Sequence, residues 1–544
     1  MATDEVVRAG CSRGDMSIFT TGAGKQRAAT FAEKMETNFT LRPFQNDLLR
    51  KHRKVAMSLI GDDMGLGKTV EAIALDRIKR IDDRAFGAKT LVVAPLSVVG
   101  VWVDHYAWML PNMKVSWYDP EGKQPVTARA EFLQSIRQGD SDVYVVHWDA
   151  LRLMPELAQQ TWFHVIADEA HRAKSRKSQQ TLALKRIKPK YRSALTGTPA
   201  ETRPDDLWSI LNWLYPKKYS SYWRFYKMYV QWEDANGYKK VTGVRNVEHL
   251  QRDIKSFYTR RLKIDVAKDL PDKVYSQRYV NITPVQRKHY GQMKQDMLAW
   301  VGEHEDQPLA APVVIARLMR LQQFAIASCK IVDGFKWVQV KDEREAESVN
   351  RTMAMFGPKI HTVRRVKKGV LEVTSVIVGD RIKTPCKIVK MIEPSSKLDT
   401  VMQLIEDNPN ESIVVFSQFK QVIGLFADRL ERAGVTHGIY TGDTDKSDRD
   451  RIVREFQAGT RRVFAGTIRA GGEGITLTKA TTIVFIDRDW SPSKNRQAED
   501  RLHRIGQKDT VQVIDIVAKD TVDRGRLQQI EQSWQWLKKL LGDK

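Results

Sequence analysis

Two long stretches of the sequence, residues 41–214 and 397–518, alternate short apolar runs with segments of helical periodicity, and this repeated pattern constrains the fold more than any other feature. Strands buried on both faces of a parallel sheet read as continuous apolar runs, and each needs a crossover, usually a helix, before its neighbour. In the first stretch the runs 55–60, 90–94, 143–146, 165–167 and 193–195 are the expected strands; in the second they are 413–416, 438–440, 463–465, 482–486 and 511–516. The expected class is therefore α/β, with two parallel-sheet bodies. A chain of 544 residues also exceeds what one hydrophobic core ordinarily serves.

The remaining segments fill in the organisation. Residues 1–36 mix small, charged and polar side chains without the apolar core of a secretory signal, and are expected to form a mobile tail. Residues 205–232 are rich in Trp and Tyr, and 284–330 show helical spacing around Met293, Leu298, Leu318 and Leu321, so both predict helical additions with packed aromatic and apolar stripes. Within 359–390, β-branched runs separated by Lys-Lys-Gly and Gly-Asp turns predict a small antiparallel β insertion. A last helix is expected over 521–541. The resulting division is a tail (1–36), a first lobe (37–272), a helical and β connecting region (273–392) and a second lobe with a C-terminal helix (393–544).

Lys and Arg number 89 against 66 Asp and Glu, giving a net charge of +23, and such a surplus favours a polyanion through phosphate contacts and counterion release. Nucleic acid is the expected polyanion, against the alternative of a basic surface that serves solubility alone. No apolar run is long enough to span a bilayer, so the chain reads as soluble. Cys11, Cys329 and Cys386 lie far apart, without the paired spacing of a structural zinc site, and a reducing compartment is the default.

The run Gly61-Asp62-Asp63-Met64-Gly65-Leu66-Gly67-Lys68-Thr69 follows an expected strand and precedes an expected helix, the setting of a phosphate-binding loop. Glycines let backbone N–H groups turn onto phosphate oxygens, Lys68 would neutralise the β and γ phosphates of ATP, and the Thr69 hydroxyl would sit on Mg2+. Asp62 departs from the general pattern, which has glycine there. Asp168 and Glu169 end the strand 165–167 and emerge at the carboxyl edge of the sheet, where open α/β sheets bind ligands. Asp168 suits Mg2+ and Glu169 suits polarising the attacking water, although such a pair taken alone is equally a solvated loop. In the second half Arg501 and Arg504 are three apart, hence on one face of an expected helix, either as fingers into a shared cleft or as an exposed basic face.

With these motifs in order along residues 41–519, the sequence resembles the Swi/Snf-type DNA-translocating ATPases of helicase superfamily two. Leu41-Arg42-Pro43-Phe44-Gln45 is similar to the adenine-reading motif, with Gln45 as the base contact, and the Asp62 form of the phosphate loop is usual in this family. Residues 91–102, 195–199, 396–399, 414–418, 469–475 and 487–492 resemble its further motifs, and Arg260-Arg261-Leu262-Lys263 its post-lobe signature. The resemblance implies two RecA-like lobes, nucleotide contacts from Asp63, Met64, Gly65, Gly67 and Gly474, and coupling of hydrolysis to lobe movement by His171, Thr196, Gly197, Thr198 and Gln497. It also implies that Arg501 and Arg504 are trans-lobe fingers. RNA helicases usually carry Gln-x-x-Gly-Arg-x-Gly-Arg where this chain has Arg501-Leu502-His503-Arg504-Ile505-Gly506-Gln507, so DNA is the expected track.

The expectation is a duplex-DNA translocase that grips the backbone without reading sequence. A strand-separating helicase and an ATP-gated DNA clamp are the alternatives. A compact bacterial or phage-type member, cytoplasmic or nucleoid-associated, fits the absence of flanking chromatin-reading modules. In the β insertion Lys359, Arg364, Arg365, Lys367, Lys368, Arg381, Lys383, Lys387 and Lys390 face only Glu372 and Asp380, which makes it either an auxiliary phosphate grip or a solvated strap between the lobes.

Overall fold

The computed structural model describes residues 36–37, 39–85, 87–119, 125–200, 203–235, 238–267, 270–303, 311–339, 363–366, 369–372, 381–472, 474–504 and 506–543. The expected tail, apart from its last residue, lies outside the described residues. In the first lobe β1 (Met57–Ile60), β2 (Thr90–Ala94), β3 (Val115–Trp117), β4 (Val143–His147), β5 (His164–Asp168) and β6 (Tyr191–Leu195) pair in parallel. An antiparallel hairpin of β7 (Val230–Ala235) and β8 (Tyr238–Val244) precedes β9 (Tyr258–Thr259), which completes a seven-stranded sheet in the order β3-β4-β2-β5-β6-β1-β9. Successive side chains point to opposite faces of a strand. Leu59, Leu91, Val93, Val165 and Ala194 therefore enter one core, and Ile60, Val92, Ile166 and Leu195 the other. Helices Lys68–Asp83 and Val99–Met109 cover the second face, and helix Asp206–Leu214 covers the first.

The second lobe repeats this plan. After β10 (Lys273–Val280), strands β11 (Ser328–Gln339), β12 (Val363–Val366), β13 (Gly369–Glu372) and β14 (Arg381–Ile392) form a separate antiparallel sheet ordered β11-β14-β12-β13. Then β15 (Ile413–Ser417), β16 (His437–Tyr440), β17 (Val463–Thr467), β18 (Thr482–Phe485) and β19 (Val511–Ala518) join β10 in a six-stranded parallel sheet, β10-β19-β18-β15-β17-β16. The expected class, two parallel-sheet lobes with helices and a small antiparallel insertion, is what the chain adopts. The insertion begins earlier than expected, because β11 supplies a long partner for β14. Of the cations expected on its basic ribbon, Lys359, Lys367 and Lys368 lie outside the described residues, as do the side chains of Arg364, Arg365, Arg381, Lys383 and Lys387.

Two segments cross the division expected from the sequence. β10 comes from the connecting stretch 273–392 yet forms the edge of the second sheet, paired with β19 along its whole length. Helix Val522–Leu541 starts in the second lobe, where Asp523 accepts from Ala518 N at 3.0 Å and pairs with Lys397 at 2.6 Å. It ends in the first, burying Trp534, Leu537 and Leu540 in that lobe's core. Among the described residues no helix is long and apolar enough to cross a membrane.

Candidate active site

Strands β5, β6 and β1 are neighbours, so the segments leaving their carboxyl ends, at Asp168, Thr196 and Gly61, lie side by side. The loop after β1 turns through left-handed backbone at Gly65 and Gly67, with φ of +84° and +86°, which side chains other than glycine resist. A Cβ on Gly67 would lie 2.7 Å from Gln45 Nε2. Gln45 is held there by accepting from Arg42 N at 3.1 Å and donating to Leu66 O at 3.3 Å. Lys68 and Thr69 open the following helix, and Lys68 Nζ donates to Asp62 O and Asp63 O at 2.8 and 3.1 Å.

The departure at Asp62 has a structural reason. Its buried carboxylate accepts from Arg261 N at 3.0 Å and pairs with the Arg261 guanidinium. That guanidinium also binds Glu71 at 2.5 Å and lies 4.8 Å from the Phe44 ring centroid. Burial and the Asp62 charge push the Glu71 carboxyl up, against the pull of Arg261. Arg260, next in line, donates to Gly61 O and Gly197 O at 2.6 and 2.9 Å. The Arg260–Arg261 pair thus anchors the loop from behind, a role not visible in the sequence.

At the end of β5, Asp168 Oδ2 accepts from Trp102 Nε1 at 2.9 Å, and Trp148 Nε1 donates to the Asp168 carbonyl at 2.9 Å. Burial and the adjacent Glu169 charge push the Asp168 carboxyl up. Burial opposes charge on Glu169 as well, but His171, Lys68 and Arg501 outweigh it and hold that carboxyl low. Glu169 has φ of +48°, a strained conformation for a non-glycine residue. His171 Nδ1 lies 3.2 Å from Glu169 Oε2 and 3.1 Å from Thr196 Oγ1, which in turn accepts from Thr198 N at 3.1 Å. Gly197 is packed so closely that a Cβ would lie 3.2 Å from Met64 and 3.3 Å from Asp62 O.

The second lobe closes on this surface. Helix Pro492–Glu499 stops before Arg501, so the two arginines come from the turns that follow it and not from a helical face. Neither is solvent-exposed. Arg501 donates to Gln497 O at 3.0 Å and Gly472 O at 2.7 Å, and reaches Met64 Sδ at 3.7 Å across the cleft. Arg504 Nη1 donates to Thr476 Oγ1 at 2.6 Å, and its Cγ lies 3.6 Å from where a Gly65 Cβ would stand. Burial and the Arg501 charge push the Arg504 guanidinium down to about 10. Lys263 bridges the lobes to Asp500 at 2.9 Å and to His503 O at 2.7 Å, and Lys273 joins Asp500 at 2.9 Å. A cavity of about 340 Å³ between the lobes is lined by Met64, Thr198, Arg260, Gln497 and His503 among others. Gly474 (φ +74°) sits against the first lobe, where a Cβ would lie 2.9 Å from Val98 Cγ1.

A phosphate loop, a carboxylate pair and two cations from a second RecA-like lobe, Arg501 buried and Arg504 partly so, therefore meet in one cleft. The family profile described as the SNF2-related domain matches residues 44–327, more than half of the chain. This chain belongs to the SNF2-related family. The profile of the helicase conserved C-terminal domain matches residues 396–506, which adds the second lobe. A SNF2-related chain with both domains is an ATP-hydrolysing enzyme of helicase superfamily two. It is 27% identical over 487 residues to a probable chromatin-remodeling complex ATPase chain of Oryza sativa subsp. japonica, covering 88% of this chain and 38% of that one. It is 26% identical to an uncharacterized ATP-dependent helicase of Mycoplasma pneumoniae, over 86% of this chain and 38% of that one. The chain thus spans about two fifths of the length of these relatives. The SWI2/SNF2 ATPase core of Sulfolobus solfataricus, solved in complex with dsDNA, aligns over 93% of this chain and 98% of that one, at 23% identity and a TM-score of 0.39.

Proposed function

We propose that this SNF2-related chain is a motor that moves along double-stranded DNA, driven by ATP hydrolysis between its lobes. The observation that carries the reading is the reach of Arg501 to Met64 of the phosphate loop, with Glu169 in the field of both Lys68 and Arg501. Only a closed pair of lobes assembles these groups.

The residues fit a nucleoside triphosphate with its metal. The left-handed turns at Gly65 and Gly67 suit a loop whose backbone would bind phosphate, and Gln45 beside them would contact the base. Gly65, Gly67 and Lys68, with Asp63 and Met64, would hold the phosphates. Thr69 and Asp168 offer the hard oxygen donors that Mg2+ prefers, and the ion would supply charge neutralisation at the phosphates. Glu169, kept charged by His171 and Lys68, orients the attacking water. Arg501 and Arg504 stabilise the charge that builds up in the transition state. The Glu169–His171–Thr196–Thr198 chain, with Gly197 and Gln497, passes the loss of the γ phosphate to the lobe interface.

A net charge of +23 suits a phosphate backbone, and backbone contacts alone let a motor step without reading sequence. Remodelling of protein–DNA complexes is the output that the rice relative's description suggests. Hydrolysis measured with blunt duplex, single strands and RNA tests the track. Duplex DNA should stimulate turnover, and a forked duplex should not be efficiently unwound. Stimulation by RNA and not DNA, or efficient strand separation, would overturn the reading.

A further inference from the structure

One surface of the first lobe has no part in the nucleotide chemistry. Trp223, on helix Tyr222–Tyr229, is 53% exposed despite its size. Near-perpendicular ring contacts with Tyr222 and Tyr226, at 5.2 and 5.8 Å between centroids, fix its orientation. Arg176, from the turn that follows His171, lies 4.1 Å from the Tyr222 ring centroid and 5.7 Å from that of Trp223. Arg224 and Lys227 flank Trp223 around a shallow hollow of about 490 Å³. Arg245 extends the cationic surface, lying 4.7 Å from the Trp232 centroid. Of the acids nearby, Asp205 binds Arg203 and Tyr222 at 2.9 and 2.8 Å, while Glu233 and Asp234 are exposed on β7.

A rigid, half-exposed indole among guanidinium and ammonium groups has the two parts that single-stranded nucleic acid requires, a π face for a base and cations for the backbone. A duplex cannot use the indole, because neighbouring pairs cover its base faces. An acidic protein could use both the cations and the indole, but the net charge of +23 and the proposed DNA track favour nucleic acid at this surface. We propose that Trp223, with Arg176, Arg224 and Lys227, is a stacking platform for an unpaired nucleobase, so that the chain holds a single strand beside the duplex on which it acts. The proposal rests on the nucleic-acid reading above. Of its four residues, Arg176 is the one on the chain that leaves the Asp168–His171 segment directly.

The test is equilibrium binding of the full chain, without nucleotide, to labelled oligo(dT), oligo(rU) and a blunt duplex. Trp223→Ala should weaken oligo(dT) binding roughly 5- to 150-fold, the range that loss of one base stack produces, while changing blunt-duplex affinity less than about twofold. Trp223→Phe should recover most of the loss. Lys227→Ala should flatten the slope of log affinity against log salt for oligo(dT) by roughly 0.7 if it contacts one phosphate. A parallel loss on oligo(rU) extends the platform to RNA, and a loss confined to oligo(dT) restricts it to DNA; both support it. Wild-type chain that ignores oligo(dT), or Trp223→Ala that binds it normally or weakens both substrates alike, overturns the platform. Failure of the wild-type chain to bind blunt duplex counts instead against the proposed motor.

Discussion

The Asp543 carboxylate takes both Nε and Nη2 of Arg260, at 2.5 and 2.6 Å, while Arg260 Nη1 donates to the carbonyls of Gly61 and Gly197. A residue just past the helix that leaves the second lobe is thereby tied to backbone on two sides of the proposed ATP site. The side chains of Arg260 and Asp543 are only 5% and 3% exposed, so the pair has little solvent to fall back on. Asp543→Ala should leave the buried guanidinium with only its longer contact to Asp63, at 3.7 Å, as counter-charge, at a cost of up to about 3–5 kcal/mol. A lowered melting midpoint and slower turnover are expected, and a variant that melts and turns over normally would remove the pair from the account.

Gly67→Ala places a methyl group 2.7 Å from Gln45 Nε2 in left-handed backbone, where a side chain costs about 1–2 kcal/mol. The loop must shift, and ATP affinity should fall about tenfold or more. Gly424→Ala, where a Cβ meets nothing within 4 Å, is the control and should bind nucleotide normally. Equal affinities for the two variants in a titration with a fluorescent nucleotide would show that the close approach is irrelevant.

Lys68→Ala should abolish hydrolysis by removing the cation at the head of the phosphate loop. Glu169→Gln keeps the shape and the loop intact while losing the charge that orients water, so it should bind ATP and remain trapped on DNA. Near-normal turnover of the Gln variant would take the water-orienting role away from Glu169.

Arg504→Ala should reduce DNA-stimulated turnover by about 10³-fold while leaving ATP affinity nearly unchanged, the pattern of a transition-state cation. Arg501→Ala should resemble it. Normal maximal turnover with a large loss of DNA affinity would make these residues DNA contacts.

Strands buried on both faces were legible because apolar residues dominate their sequence: β2 falls on the expected 90–94, and β15, β17 and, despite Gln512 and Asp515, β19 nearly so. The edge strands were not. β10 is mostly exposed and reads as mixed polar sequence, and β3 and β9 are too short to show a period. Local motifs singled out Gln45, Lys68, Asp168, Glu169 and Arg501, which meet in one cleft: Lys68 follows a glycine turn and Asp168 and Glu169 a strand end, whereas Gln45 lies in helix Pro43–His52 and Arg501 after helix Pro492–Glu499. Partnerships formed by folding had no such signal, as with Asp62 and Arg261, 199 residues apart, or Arg260 and Asp543. The spacing of Arg501 and Arg504 suggested a helical face, but the helix ends at Glu499 and the turn delivers them instead.

Release of a third strand from a DNA triplex tests the central claim most directly, because a motor that travels on duplex must eject it without separating the duplex. The account predicts ATP-dependent release by the wild-type chain and none by Lys68→Ala. Duplex-stimulated ATP hydrolysis with the third strand left in place would contradict it, and would describe a clamp that resets on DNA without moving.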